Sequence, residues 1–142
     1  MRLVIDASMA LAWIFVRAKP EESECANRAL TALADTPSVV PSLWHTEIAN
    51  ALLVGERRKI ITEAQTIDYL TRLARLPIGV DEALSATRQE QVMALARQYD
   101  LSAYDATYLE LALRGGAALA TFDIKLGGAM RRAGGQLFGT AD

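Results

Sequence analysis

Apolar residues along this chain fall into short runs that alternate with stripes at helical spacing. Leu3-Val4-Ile5 is the first run, and two of its three residues are β-branched, as a buried strand favours. Leu11, Ala12 and Phe15 then recur at helical intervals and predict a helix from Ser8 to about Val16. Lys19-Pro20 breaks that pattern. Glu21 to Leu33 resumes as an amphipathic helix with acids in its first turn, where the helix dipole favours them. Ser38-Val39-Val40-Pro41 predicts a second strand closed by proline. Ser42 opens a helix that runs to about Arg58. Thr62-Glu63-Ala64-Gln65 is a capping box. The helix it starts carries Ile67, Leu70, Leu73 and Ala74 on one side and ends by Pro77. Ile78-Gly79-Val80 reads as a third strand, Ser85 to Tyr99 as a helix. Ser102 opens another helix, ended by Gly115-Gly116. Ala117 to Ala120 is a fourth strand. A last helix starts from Asp123 and is interrupted by Gly127-Gly128, and Gln136-Leu137-Phe138 makes a final edge strand.

Alternating strands and helices predict an α/β fold, a parallel sheet with helices on both faces. The 142 residues fit one domain, expected over 1–138, with 139–142 as a loose tail. At 51% hydrophobic, the chain can form a core without disulfides or zinc. Its one cysteine, Cys25, cannot bridge internally, which suits a reducing cytosol. The start of the chain lacks a signal-peptide pattern, and no apolar run is long enough to span a bilayer. A cytoplasmic protein without a membrane partner is the expectation. The formal charge of −2, from 15 basic and 17 acidic residues, excludes a globally basic nucleic-acid binder. It leaves room for a local basic surface, because the basic residues outnumber the acids once a few acids are drawn into one site.

Four acids change the picture, and each also has a structural reading. Asp6 ends the first strand, where an open α/β sheet binds ligands, but it also stands where a helix cap belongs, with Ser8 as a competing cap. Glu47 lies among Leu43, Trp44, Ala51 and Val54 on a helical wheel, so its carboxylate falls in an apolar arc. No buried Arg or Lys can be assigned to it, and buried ionisable groups tend to mark sites. Asp105 heads the face Asp105, Tyr108, Leu109, Ala112, and it also completes the cap pattern begun by Ser102. Glu110, on the other side of that helix, reads as solvated. Asp123 follows the fourth strand as Asp6 follows the first, and it too could cap a helix.

Taken together, the acids gain weight. Strand ends and helix starts share one edge of such a sheet, and all four lie near it. Two carboxylates about 5 Å apart repel by roughly 3 kcal/mol at an effective dielectric near 20. Several such pairs call for protons or a hard divalent cation, Mg²⁺ or Mn²⁺. Other chemistries fit worse. His45 is the only histidine and reads as a surface residue beside Trp44, so zinc sites and a Ser-His-Asp triad lack support. No phosphate-cradling glycine motif follows the first strand. A receiver-type phosphoacceptor domain needs an acidic pair after its first strand and a lysine after its last, and neither is evident.

The segments Val-Ile-Asp-Ala-Ser at 4–8, Trp-His-Thr-Glu-Ile-Ala-Asn-Ala-Leu at 44–52, Leu-Ser-Ala-Tyr-Asp-Ala-Thr-Tyr-Leu-Glu-Leu-Ala at 101–112 and Ala-Thr-Phe-Asp at 120–123 resemble the PIN-domain family. Within it the chain is similar to VapC-type toxins of bacterial toxin–antitoxin pairs. The resemblance implies a three-layer α/β/α sandwich with a mostly parallel five-stranded sheet. It implies an Mg²⁺- or Mn²⁺-dependent endoribonuclease, with Asp6, Glu47, Asp105 and Asp123 as catalytic, metal-holding acids. Ser8 and Thr121 match small hydroxyl positions beside the acids, and Asn50 lies one turn from Glu47. The implied partners are RNA, a VapB-like antitoxin and a second copy of the chain. Gly127-Gly128 departs from the firmer basic helix usual there. The rival expectation is a non-catalytic PIN-like scaffold that binds RNA or protein, and the presence of all four acids argues against it.

Overall fold

A computed structural model describes residues 2–82 and 85–139. Four three-residue strands, β1 (Leu3–Ile5), β2 (Ser38–Val40), β3 (Ile78–Val80) and β4 (Ala118–Ala120), form one parallel sheet in the order β3-β2-β1-β4. Leu3 pairs with Ser38 on one side and Ala118 on the other, and Ile5 pairs with Ala120. β1 is therefore flanked on both edges, and its three residues are fully buried. Each such side chain contributes about 2 kcal/mol by leaving water. The chain builds leftward from β1 to β3 and then crosses to the right for β4. The reversal lies between β1 and β4, and crevices at such reversals bind ligands in open α/β sheets.

The helices are α1 (Ala7–Leu11), α2 (Pro20–Ala32), α3 (Leu43–Arg57), α4 (Glu63–Leu73), α5 (Ala86–Tyr99), α6 (Ala103–Arg114) and α7 (Ile124–Arg132). Thr62 and Gln65 form the expected capping box at α4. Ser85 and Ser102 cap α5 and α6 through their side chains, whereas Ser42 precedes α3 without such a bond. α1 is shorter than its apolar spacing predicts. It stops at Leu11, and the following residues turn so that Trp13 Nε1 donates to the Ala26 carbonyl of α2 at 2.8 Å. On α4 the buried residue is Tyr69, whose hydroxyl donates to the Ala10 carbonyl at 2.6 Å, while Ile67 and Leu70 of the predicted apolar side are exposed.

Three expectations need correction. Gly127 and Gly128 do not interrupt the last helix, which runs through them. A Cβ at Gly127 would sit 3.4 Å from Leu137, so the missing side chain lets α7 lie close to the chain's last segment. That packing and a cap from Asp123 offset the roughly 1 kcal/mol that each helical glycine costs. The fifth strand is reduced to a single parallel bridge, Leu119 to Leu137. Gly134 and Gly139, both at positive φ, turn the chain on either side and leave no length for a ladder. Glu110 is not solvated. It is 6% exposed, and Arg114 donates to it through Nε at 2.7 Å and Nη2 at 3.2 Å. Of the expected tail, Gly139 packs beside Cys25 of α2, and residues 140–142 lie outside the described residues.

Candidate active site

The ends of β1 and β4 are latched together by two hydroxyls. Asp6 occupies the cap position of α1, but its side chain makes no capping bond. Instead its Oδ2 accepts from Ser8 Oγ at 2.8 Å and from Thr121 Oγ1 at 2.6 Å. Each hydroxyl accepts in turn from a backbone N–H of the opposite loop or its own: Phe122 to Ser8 at 3.0 Å, Asp123 to Thr121 at 3.0 Å. Both hydroxyl protons therefore point at Asp6. The Asp6 backbone N–H also donates to the Ala120 carbonyl at 3.0 Å, extending the β1–β4 ladder to the acid itself. Asp6 is 6% exposed. Burial raises its pKa above the ordinary value, the two hydroxyls oppose that shift, and Asp123 adds repulsion.

Glu47 sits half-buried on α3, as its apolar arc predicts. Its Oε1 accepts from Tyr108 Oη at 2.5 Å. Burial raises its pKa, the Tyr108 bond opposes this, and Asp6 and Asp105 push it further up. Asp105 lies in the first turn of α6. There Ser102 Oγ accepts from the Asp105 backbone N–H at 3.1 Å, so the cap is supplied by the serine and the Asp105 carboxylate stays free of it. Burial raises its pKa, Asp123 and Asp6 raise it further, and Ser102 and Lys125 oppose them. Asp123 does cap α7, with Oδ1 accepting from the Leu126 N–H at 2.8 Å. The cap reading of Asp123 holds, and its charge also reaches Asp105 and Asp6.

Asp6, Ser8, Thr121 and Asp123 thus share one hydrogen-bonded corner, and Glu47 and Asp105 join it through mutual repulsion. Asn50 is exposed on α3, and its side chain makes no hydrogen bond among the described residues. Arg57, Arg58, Arg131 and Arg132 are also exposed, Arg132 stacking on Tyr99 with 5.6 Å to the ring centroid. His45 is exposed and packs edge-on against Trp44.

Tyr108 is the site residue that sequence patterning placed only in the core. It is buried, and burial together with its bond to Glu47 raises its pKa, so it remains a neutral donor. A tyrosine one turn beyond Asp105 on an apolar face was the available signal, since a buried phenol needs a polar partner.

Among the described residues, no three Asp, Glu, His or Cys side chains close into a ready metal cage. The donor set nonetheless suits a hard divalent cation. Every candidate ligand is a carboxylate oxygen, three of the four acids have raised pKa values from shared burial and repulsion, and among the described residues no cation bonds to any of the four. Lys125, the basic side chain that Asp105 feels, is bonded to Asp100 at 3.3 Å. Such acids have an unmet need for positive charge.

Comparisons with known proteins agree with this geometry. The PIN domain family model matches residues 3–132. The chain is 33% identical over 127 residues to ribonuclease VapC3 of Pyrobaculum aerophilum, covering 89% of this chain and 92% of that protein. Its fold is similar to the crystal structure of PAE2754 from Pyrobaculum aerophilum, with TM-score 0.66, 21% identity, and 91% of this chain and 84% of that one covered. It is also similar to FitAcB from Neisseria gonorrhoeae, with TM-score 0.63, 14% identity and 96% of each chain covered. A third similar structure is Mycobacterium tuberculosis VapC20, described as a sarcin-ricin loop cleaving toxin, with TM-score 0.59 and 19% identity over 89% of this chain and 94% of that one. The parallel sheet, the acids at its strand ends and the family match lead to one conclusion: this chain belongs to the PIN-domain family, among its VapC-type members.

Proposed function

We propose that this protein is a metal-dependent endoribonuclease that acts as the toxin of a toxin–antitoxin pair in the cytoplasm. The observation that carries the reading is the set of acids Asp6, Glu47, Asp105 and Asp123, which share one electrostatic field at the β1–β4 reversal, with no cation bonded to them among the described residues. The activity of the relative VapC3 supports ribonuclease chemistry.

Asp6 and Asp105 would hold Mg²⁺ or Mn²⁺ most directly, with Glu47 and Asp123 completing the set. When bound, the cation polarises a phosphate oxygen and lowers the pKa of a water, supplying both electrophile and nucleophile for phosphodiester cleavage. The protein's own groups do the positioning. Ser8 and Thr121 fix the Asp6 carboxylate through Oδ2. Tyr108 fixes Glu47 in the same way through Oε1. One carboxylate would orient or take a proton from an attacking water, and the raised pKa of Glu47 and its oxygen not bonded to Tyr108 support Glu47 in that role. Asn50, one turn away on the exposed face of α3, would contact the RNA chain.

The catalytic unit is one domain over 1–138. Its partners would be RNA, a VapB-like antitoxin and a second copy of the chain. The apolar side chains left exposed on α2 and α4, Leu30, Ile67 and Leu70, offer surface for the protein contacts. The test is cleavage of single-stranded RNA with Mg²⁺ added and then chelated. Cleavage should appear with metal, stop on chelation, and fall by about a hundredfold or more in Asp6→Asn and Asp105→Asn. Cleavage near the native rate in either variant would sink the assignment.

A further inference from the structure

The connection between α1 and α2 carries an arginine that neither the core nor the acid cluster uses. The Arg17 guanidinium carbon lies 4.5 Å from the centroid of the Phe122 ring. Phe122 stands between Thr121 and Asp123, and its backbone N–H is tied to Ser8 Oγ. The ring is therefore a fixed platform at the rim of the acid cleft, with the guanidinium resting on it. Arg17 Nη2 donates to Glu22 Oε2 at 3.3 Å, a pair with side chains 33% and 27% exposed. Water screens such a pair, so it is readily exchanged. Nε is buried with no partner, and Nη1 makes no hydrogen bond among the described residues. A guanidinium offers five N–H donors in a planar fork, and this one uses a single donor.

Arg17 does not neutralise the acids. The charges that act on Asp6, Glu47 and Asp105 are one another, Asp123 and Lys125. It stands on Phe122, between Thr121 and Asp123 in the chain, and so beside the acid cluster. We propose that Arg17 is an RNA-binding residue: stacked on Phe122, it exchanges Glu22 for a phosphate oxygen and grips a backbone phosphate flanking the bond to be cut. The planar fork, its rigid stack and its unused donors are the features that match a phosphate. The inference rests on the ribonuclease reading for its substrate, and it adds a residue outside the acid cluster and the exposed arginines of α3 and α7.

The test is binding of a fluorescent single-stranded RNA oligonucleotide by the full chain carrying Asp105→Asn, so that the RNA stays intact. Affinity is read by anisotropy across a range of salt. Arg17→Ala should weaken binding about tenfold and flatten the slope of log affinity against log salt by about 0.7, the loss of one phosphate contact on a single strand. Arg17→Lys should keep most of the slope and lose affinity, because fork and stack are gone. Glu22→Gln should tighten binding by freeing the guanidinium, and that gain should vanish when combined with Arg17→Ala. Arg75→Ala, at the opposite edge of the sheet, should leave the slope unchanged. Melting curves accompany each variant, and if Arg17→Ala does not fold, Arg17→Gln and Glu22→Gln carry the comparison. Unchanged affinity and slope in a folded Arg17 variant overturns the proposal, as does a native sequence that binds no RNA. RNA that binds through Arg17 but is never cut by the chain with Asp105 intact supports the proposal while defeating the ribonuclease reading.

Discussion

Two acids on α6, five residues apart, meet opposite surroundings. Glu110 is almost fully buried, yet Arg114 one turn on binds it twice and also reaches Asp81 at 2.8 Å. Arg88 adds a further contact to Asp81 at 3.5 Å. The Arg114 bond to Glu110, opposed by burial, and its bond to Asp81 raise the Arg114 pKa, so the guanidinium stays charged. Asp105 is more open to water, and the charges that raise its pKa after burial are other carboxylates. Burial therefore does not separate the acid proposed for catalysis from the structural one in this molecule. The sign of the neighbouring charge does. Glu110 has a cation beside it in the chain itself, whereas the charges that raise the Asp105 pKa are those of Asp123 and Asp6.

The sharpest way to break this contrast is to neutralise each acid in turn. Asp105→Asn should lower RNA cleavage by about a hundredfold or more, several kcal/mol of lost transition-state stabilisation. Glu110→Gln should leave the turnover of the folded protein within about twofold, since it touches only the α5–α6 side. Equal losses in the two would erase the distinction. Stability should rank the other way. Glu110→Ala removes two of the Arg114 hydrogen bonds while Asp81 still holds the guanidinium, and should cost about 2 kcal/mol in denaturant unfolding, below the value for fully buried pairs because Arg114 is one-third exposed. Tyr108→Phe comes next. It removes the phenol from Glu47 and should cost about 1 kcal/mol of stability and roughly tenfold in cleavage. A Tyr108→Phe enzyme with full activity would show that Glu47 needs no positioning.

The smallest effect is a pH dependence whose sign is unusual for carboxylates. Asp6, Glu47 and Asp105 have folded pKa values raised above their unfolded ones. The folded state then binds protons more readily than the unfolded state. Stability from these groups is fully present below the unfolded values and is lost as pH rises through the raised folded values. Without divalent metal, the melting temperature should thus rise as pH falls from neutral toward about 5, before other carboxylates protonate. Mg²⁺ at neutral pH should give a similar rise by binding the native state. A melting temperature that falls over that interval, or one indifferent to Mg²⁺, would contradict the shared field.

Much of this was legible in the chain. Leu3-Val4-Ile5 followed by Asp6, Thr62 to Gln65 as a cap, and the wheel position of Glu47 all report local periodicity, which sequence carries directly. The failures share a cause. Glu110 looked solvated because it lies across the helix from Asp105, but α5 covers that side in the folded chain. Gly127-Gly128 looked like a break because helix propensity is local, whereas the close approach of Leu137 is tertiary. The Tyr108–Glu47 and Arg17–Phe122 contacts join residues far apart in sequence, and no single-chain periodicity encodes them.

The three-residue strands carry a further consequence. At about 3.3 Å per residue the sheet is only about 10 Å deep, so its hydrocarbon pairing and its chemistry are one residue apart. Ile5 faces Ala120 across the ladder, and Asp6 and Thr121 are simply the next rung. A slip of one rung between β1 and β4 would displace Thr121 from Asp6 by a full residue and turn its hydroxyl to the opposite face. The small side chains of β4, Ala118 and Ala120, thus act as a gauge block: the fit of inert methyl groups sets the position of the acid edge.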